Sequence, residues 1–154
     1  GMRVIYVDSH ATAEAIDVEI GGHHVRVPVK MVTLPELLAQ ADAITLHVPA
    51  QKDGRPVIGA AELAKMKAGA VIVNTARGGS IDEEALLKAL QEGRIRGAAL
   101  DVFVGEPEPH EGLMADPNLS LTPHIGAATA EAQGRVGDEL AEQIISWRST
   151  VDVS

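Results

Sequence analysis

Ala70-Val-Ile-Val-Asn74 and Gly97-Ala-Ala-Leu-Asp-Val-Phe103 are the two stretches that decide the fold. The first is an almost continuous apolar run of strand length, which is typical of a strand buried on both faces of a parallel sheet. Between the two stretches, Ser80-Ile-Asp-Glu83 has the pattern of a capping box, and the helix that it begins should end at Gly93. This order of strand, helix and strand predicts a parallel α/β unit.

The same alternation continues in both directions along the chain. Short strands are predicted at 3–8, 43–48 and 119–122, and helices at 59–67 and from Thr129 to about Trp147. Another helix should begin at Thr33, which can accept a capping hydrogen bond and is followed by Pro35 and Glu36. Residues 17–20 and 23–27 alternate around Gly21-Gly22 and predict a small β-hairpin. A parallel sheet covered by helices follows from this pattern.

The composition argues against several classes of function. The formal net charge of −9 argues against binding to a nucleic acid backbone as the main activity. The chain has no cysteine, which excludes disulfides, thiolate zinc sites and a cysteine nucleophile, and we expect no metal site. No apolar run approaches the roughly 20 residues of a membrane span, and no charged and apolar leader opens the chain. A cytoplasmic location is the expectation.

Polar and charged residues recur directly after the predicted strands. In doubly wound folds, ligands bind beyond the carboxyl ends of the strands. Any one of these residues is explained equally well as an acid or a proline that ends a strand, but their recurrence at separate strand ends predicts a binding site. The candidates are Asp8, His47, Val48, Pro49, Thr75, Ala76, Arg77, Asp101, Thr122, Pro123 and His124.

Four segments resemble successive signatures of the D-isomer-specific 2-hydroxy-acid dehydrogenases. They are Leu46-His-Val-Pro49, Asn74-Thr-Ala-Arg-Gly-Gly-Ser-Ile-Asp82, Ala99-Leu-Asp-Val-Phe-Val-Gly-Glu-Pro107 and Leu121-Thr-Pro-His-Ile-Gly126. They occur in the order found in the family, and the resemblance covers nearly the whole chain. It implies a Rossmann-type, doubly wound parallel sheet in three layers, with NAD as the cofactor and a small 2-hydroxy or 2-keto acid as the substrate.

The resemblance implies three catalytic residues. Arg77 matches the arginine that anchors the substrate, and a guanidinium can hold a carboxylate through two parallel hydrogen bonds. His124 matches the proton donor, and histidine can give or take a proton near neutral pH. Glu106 matches the acidic partner that orients the histidine and stabilises its protonated form. Without the matching flanks, each could equally be a surface residue of a loop or strand end.

The resemblance also implies a set of cofactor contacts. Asp8 ends the first strand and matches the acid that accepts hydrogen bonds from the adenosine ribose. A carboxylate there repels a 2′-phosphate, and no arginine follows it in Ser9-His10-Ala11, so NAD is favoured over NADP. The other expected contacts are His47, Val48, Pro49, Thr75, Ala76, Arg77, Asp101, His124, Ile125, Gly126 and Ala127.

One family feature is absent from this sequence, namely the Gly-x-Gly-x-x-Gly fingerprint with its strand and helix. Residues 1–128 are therefore expected to form a partial NAD-binding domain, and 129–154 a long helix and tail leading towards an absent substrate domain. The missing strand would be central, with strands 3–8 and 43–48 on one side and 70–74, 97–102 and 119–122 on the other. Another polypeptide, self-association or a rearrangement would then fill the gap. We expect this chain alone to bind NAD poorly and to lack turnover.

The choice of substrate is less constrained. Val27-Pro-Val-Lys30 and Asp53-Gly-Arg-Pro-Val-Ile-Gly59 look most like phosphoglycerate dehydrogenases, which implies D-3-phosphoglycerate and serine biosynthesis. Glycerate, glyoxylate and lactate dehydrogenases share the main signatures and stay as alternatives. So does a non-catalytic NAD(H)-binding corepressor of the same scaffold. A homodimer is the expected assembly.

Overall fold

The computed structural model describes residues 2–126 and 128–150, with side chains described as far as Arg148. In these ranges, short strands alternate with helices from about residue 34 onwards, as predicted. The elements are β1 (Val4–Tyr6), β2 (Ala15–Ile20), β3 (His23–Met31), α1 (Leu34–Gln40), β4 (Ala43–Leu46), α2 (Ala60–Lys65), β5 (Val71–Asn74), α3 (Glu83–Gln91), β6 (Gly97–Leu100), α4 (Glu111–Ala115), β7 (Leu119–Leu121) and α5 (Ala130–Thr150).

The described strands form two sheets. One has four parallel strands in the order β4-β5-β6-β7, and the other has the order β1-β3-β2. In the second sheet β3 pairs with β1 in parallel and with β2 in antiparallel, so that β2 and β3 make the predicted hairpin around Gly21 and Gly22. A parallel sheet with helices confirms the predicted Rossmann-like α/β class.

The core lies against one face of the four-stranded sheet. Ile44, Ile72 and Leu100 point into it, and each of the helices α1 to α4 adds at least one leucine to the same buried cluster. Val71 and Val73, on the opposite face of β5, are only partly buried. The prediction of a strand buried on both faces therefore holds for one face, because the helices α1 to α4 form a single layer.

The predicted position of strand 43–48 was wrong. We expected it on the far side of a missing central strand, but β4 pairs directly with β5, with Ala43 opposite Val71 and Leu46 opposite Asn74. The physical reason is the short helical crossover through α2, which brings consecutive parallel strands side by side. Among the described residues, no strand pairs with both β1 and β4, so the two sheets are not joined through a shared strand. The expected gap between them stays a prediction, as does what fills it.

The helix starts show which capping predictions were correct. Thr33 caps α1 as predicted: its hydroxyl accepts a hydrogen bond from the Glu36 amide, and the Glu36 carboxylate accepts one from the Thr33 amide. At α3 the prediction was wrong, because Asp82 and not Ser80 is the cap. Ser80 is buried and its carbonyl accepts hydrogen bonds from the amides of residues 57 and 58. Asp82 adjoins the first helical residue and so reaches the free amides directly.

Helices α4 and α5 lie in the C-terminal third of the chain. The short helix α4 lies inside the segment 105–117, where the sequence predicted only a proline-rich loop. Helix α5 agrees with the long predicted C-terminal helix and is exposed along most of its length, with Ala132 buried at its start. In the described part of the chain, no helix is both long enough and apolar enough to cross a membrane.

Candidate active site

The register of the four-stranded sheet places the predicted site residues along one edge. Leu46 is opposite Asn74, Asn74 is opposite Leu100, and Leu100 is opposite Leu121. Each of these residues ends its strand or stands at its last paired position. The segments that follow, 47–49, 75–77, 101–106 and 122–126, therefore leave the sheet side by side. This is the edge at which doubly wound sheets bind their ligands.

The loop after β5 carries Arg77 and is shaped by a buried asparagine. The side-chain oxygen of Asn74 accepts a hydrogen bond from the Ala76 amide at 3.1 Å, and its Nδ2 donates to the Arg77 carbonyl at 2.9 Å. The Arg77 side chain is exposed, and its guanidinium donates to the Ala76 carbonyl. The loop thus holds the Arg77 backbone while leaving most guanidinium donors available to a ligand.

The structure brings Glu106 and His124 together. Glu106 Oε2 lies 2.7 Å from His124 Nδ1, and Glu106 Oε1 accepts a hydrogen bond from the Phe103 amide at 3.0 Å. The hydrogen bond from His124, followed by that from the Phe103 amide, lowers the pKa of the Glu106 carboxyl below its ordinary value. An ionised carboxylate only accepts, so the proton between the two groups belongs to Nδ1. The second ring nitrogen, Nε2, has no hydrogen bond to the described residues.

His124 occupies an unusual backbone conformation. Its φ of 54° lies in the left-handed region, where no other described non-glycine residue is found. Such a conformation is sustained by its surroundings, and here Asp101 provides them. Asp101 Oδ1 accepts hydrogen bonds from the Thr122 hydroxyl at 2.6 Å and the Ile125 amide at 3.0 Å, and Oδ2 accepts one from the Gly126 amide at 3.2 Å. The turn that presents His124 is thus built around one carboxylate.

The same hydrogen bonds change the pKa of Asp101. Burial opposes its ionisation, but the hydrogen bonds from Thr122, Ile125 and Gly126 outweigh burial and lower the pKa of its carboxyl below the ordinary value. A carboxyl whose pKa is lower in the folded state contributes stability above its unfolded pKa and loses that contribution as the pH falls through its folded pKa.

We therefore expect Asp101→Asn to be less stable than the wild type at pH 7, by about 1 kcal/mol or less because the site is partly exposed. The gap should shrink at pH values below about 4. Urea unfolding at pH 7 and pH 3 measures it, with Asp138→Asn on the exposed surface of α5 as the control. A gap of equal size at the two pH values would contradict the role assigned to the Asp101 carboxylate.

The Arg77 loop and the Glu106 loop are in close contact at Gly78. A Cβ atom at this position would lie 2.4 Å from the Phe103 carbonyl oxygen and 2.7 Å from its carbon. Only glycine allows the two backbones to approach this closely. The absence of a side chain at residue 78 therefore sets how near Arg77 can come to the loop of Glu106.

Most of the other predicted cofactor contacts lie at this edge of the sheet, some exposed and some buried. His47, whose Nε2 lies 3.0 Å from the Thr45 hydroxyl, shares the same sheet edge with Pro49, Thr75, Ile125 and Gly126, all exposed. Val48 is half-buried and Ala76 is buried there. Ala127, also predicted to contact the cofactor, lies outside the described residues.

Asp8 is not joined to these residues, because it follows β1 in the second sheet. Its Oδ1 accepts hydrogen bonds from the amides of His10 and Ala11 at 2.6 and 2.8 Å. These bonds, the one from Ala11 first, lower the pKa of its carboxyl. The carboxylate is exposed and ionised, and Oδ2 is free of described hydrogen bonds and available to a ligand.

Sequence reasoning missed two residues that shape the site. Asn74 and Gly78 were noted only as parts of a motif, although they shape the loops of Arg77 and Glu106. Thr122 was a candidate, but its hydrogen bond to Asp101 was not foreseen. A signal existed for Asn74, since a polar residue that ends a buried apolar strand has to find hydrogen-bond partners. Nothing in the sequence indicated that Gly78 lies against Phe103.

Comparison with known proteins agrees with the geometry. Residues 1–126 match the family described as D-isomer specific 2-hydroxyacid dehydrogenase, NAD binding domain. The chain belongs to this family. The predicted resemblance and the predicted cofactor class, NAD, are thereby confirmed. The residues at the sheet edge, on four neighbouring strands with parallel carboxyl ends, also fit a dinucleotide held in the usual place for such folds.

Individual relatives carry several names. A hydroxypyruvate reductase from Thermotoga maritima is 50% identical over 121 residues, which are 77% of this chain and 40% of that protein. A D-3-phosphoglycerate dehydrogenase from Methanocaldococcus jannaschii is 46% identical over 147 residues, 94% of this chain and 26% of that protein. The crystal structure of a glyoxylate reductase from Paecilomyes thermophila superposes with a TM-score of 0.66 at 47% identity, over 70% of this chain and 33% of that one. The chain thus spans well under half the length of these relatives.

Proposed function

We propose that this chain carries the cofactor-binding and catalytic residues of an NAD-dependent oxidoreductase that acts on the CH–OH group of a D-2-hydroxy acid. The observation that carries the proposal is the contact of 2.7 Å between His124 Nδ1 and Glu106 Oε2 at the ligand-binding edge of the sheet. A histidine oriented by a carboxylate is a suitable acid and base for a hydroxyl or carbonyl oxygen.

His124 transfers the proton in this mechanism. In oxidation, Nε2 accepts the hydroxyl proton while the C–H bond at carbon 2 breaks and its electron pair leaves with the hydrogen as hydride. When bound, the nicotinamide cofactor supplies the hydride chemistry, accepting hydride in oxidation and returning it in reduction. In reduction, Nε2–H donates its proton to the carbonyl oxygen. Glu106 stabilises the positive charge that His124 carries between these steps.

Arg77 anchors the substrate carboxylate. Its guanidinium has five donors, and the bond to the Ala76 carbonyl engages one nitrogen. A bidentate hold on the carboxylate would fix which face of carbon 2 is presented for hydride transfer. The contact between Gly78 and Phe103 keeps this anchor close to the loop of Glu106.

We expect Arg77→Ala to raise KM for the keto acid about 10- to 100-fold, because a hydrogen bond to a charged group contributes about 1.5–3 kcal/mol. Arg77→Lys should restore little, since an ammonium cannot make the bidentate contact. The control is Arg96→Ala, an exposed arginine just before β6, at the opposite end of the sheet. Steady-state kinetics measure the effect, and an unchanged KM for Arg77→Ala would contradict the anchoring role.

Asp8 favours NAD over NADP in this proposal. Its carboxylate is exposed and ionised, and backbone amides hold it in place. An ionised carboxylate can accept hydrogen bonds from ribose hydroxyls and repels a 2′-phosphate. No arginine stands in the three positions after it that could offset this repulsion.

D-3-phosphoglycerate is the proposed substrate, oxidised to 3-phosphohydroxypyruvate in serine biosynthesis. The segments Val27–Lys30 and Asp53–Gly59 support this choice, as does the phosphoglycerate dehydrogenase that matches 94% of the chain. Hydroxypyruvate is the second candidate, because the hydroxypyruvate reductase has the higher identity over its shorter match. Glycerate, glyoxylate and lactate enzymes stay as further alternatives. A cytoplasmic dimer is proposed for the whole protein.

The protein expressed from its full gene provides the test. NADH oxidation is followed with 3-phosphohydroxypyruvate, hydroxypyruvate, glyoxylate and pyruvate, and then repeated with NADPH. We expect turnover with NADH and the highest kcat/KM for 3-phosphohydroxypyruvate. Preference for hydroxypyruvate would support the second candidate. NADH binding without turnover of any keto acid would contradict an enzyme and favour a non-catalytic NAD(H)-binding corepressor-like module.

A further inference from the structure

Glu83 makes an unexpected contact for the first residue of a helix. The capping-box pattern predicts that its carboxylate folds back towards Ser80, but Asp82 caps the helix instead. The Glu83 side chain is half-buried, and its Oε1 accepts a hydrogen bond from the Val104 amide at 2.7 Å. The carboxylate therefore connects the start of α3 to the loop that follows β6.

The contact adjoins the predicted catalytic pair. The amides of two consecutive residues, Phe103 and Val104, are each held by a different carboxylate: Glu106 accepts from the first and Glu83 from the second. Glu106 uses its other oxygen for His124. Glu83 thus holds the peptide unit that directly follows the one whose amide donates to Glu106.

We propose that Glu83 is a positioning residue of the hydride-transfer site, which fixes the Val104 amide and through it the orientation of the Glu106 carboxylate towards His124. The inference rests on the proposed function. Glu83 does not touch the reacting atoms, and its effect on them passes through the 103–106 loop.

A simpler role, favourable charge in the first turn of a helix, does not explain the placement. Glu84 lies in the same turn, is exposed, and supplies that charge without any loss of solvation. For Glu83, burial raises the pKa of its carboxyl in spite of the hydrogen bond from Val104. A half-buried carboxylate is costly to hold, which is better explained by the specific contact with the loop than by the helix charge.

Glu83 is the one acceptor that the described residues give the Val104 amide. Glu83 and Val104 both line a cleft of about 580 Å³, together with Ile81, Leu87 and Leu113. Without the carboxylate, the Val104 amide would lose this acceptor and would be open to water in the cleft. A mobile water molecule would hold the loop less rigidly than a side chain fixed on a helix, so the Glu106 carboxylate would sample more orientations.

Three variants of the protein expressed from its full gene test the proposal: Glu83→Ala, Glu83→Gln and the matched control Glu84→Ala. Glu83→Ala should lower kcat by up to about 10²-fold with little change in KM, the effect of a misplaced catalytic group. In Glu83→Gln the side-chain amide oxygen can accept the same hydrogen bond, so kcat should stay within about 3-fold of the wild-type value. Glu84→Ala should match the wild type.

A second measurement does not depend on turnover. The ¹⁵N resonances of the His124 ring report whether Nδ1 still donates to Glu106, and amide hydrogen exchange reports the hold on Val104. Glu83→Ala should change both, while Glu83→Gln and Glu84→Ala should change neither. If Glu83→Ala leaves the ring resonances and kcat as in Glu84→Ala, the proposal is wrong. Absence of turnover in the wild type would contradict the proposed function. The ring resonances would still show whether Glu83 affects the contact between Glu106 and His124.

Discussion

Replacing His124 with alanine in the protein expressed from its full gene is expected to lower kcat for keto acid reduction by about 10²–10⁴-fold, the usual contribution of general acid and base catalysis. KM should change far less, because Arg77, and not His124, is the residue proposed to hold the substrate carboxylate. No other described histidine is hydrogen-bonded to a carboxylate side chain, so we expect none of them to replace His124. Stopped-flow measurement of a single turnover checks that the chemical step is the one that slows.

Two further variants make this prediction specific. His110→Ala is the matched control, because that imidazole lies in the loop before α4 and accepts a hydrogen bond from the Gly112 amide. It should retain near-normal turnover. Glu106→Gln should lower kcat less than His124→Ala, since the imidazole stays in place but loses the carboxylate that accepts its Nδ1 hydrogen bond. Near-normal rates in His124→Ala would refute the assigned proton transfer.

Gly78→Ala is expected to have the second largest effect. Its Cβ would lie 2.4 Å from the Phe103 carbonyl oxygen, which belongs to the backbone and cannot move alone. The two loops must separate, which should destabilise the fold by about 1–3 kcal/mol. Because these loops carry Arg77 and Glu106, a shift of about 1 Å between them should also lower kcat/KM by up to about 10²-fold. Urea unfolding and steady-state kinetics measure the two effects.

Gly134→Ala is the control for this substitution. Gly134 lies within α5, where a Cβ would meet nothing within 4 Å, so alanine should be neutral or stabilise the helix by up to about 1 kcal/mol. If Gly78→Ala matched Gly134→Ala in stability and in kinetics, the close approach of the two loops would be shown to matter for neither.

Strand and helix periods explain why much of the fold could be predicted. The apolar run 70–74, the Thr33 cap and the glycine turn at residues 21 and 22 depend on local geometry that neighbouring residues specify. The predictions that were wrong concern features that depend on contacts between residues distant in the chain. The pairing of β4 with β5 depends on a crossover, and the choice of Asp82 over Ser80 as a cap depends on what else Ser80 contacts.

The site divides in the same way. The sequence by itself determined the family, the sheet edge and the chemical types of Arg77, Glu106 and His124, because short motifs and strand ends are local features. Only the tertiary structure decided that Glu106 meets His124 across 18 positions of the chain, that Asp101 holds the strained turn of His124, and that Glu83 reaches Val104. The physical reason is that a hydrogen bond acts over about 3 Å. Which donor meets which acceptor over that distance is set by strand register and loop packing, and local sequence does not encode these directly.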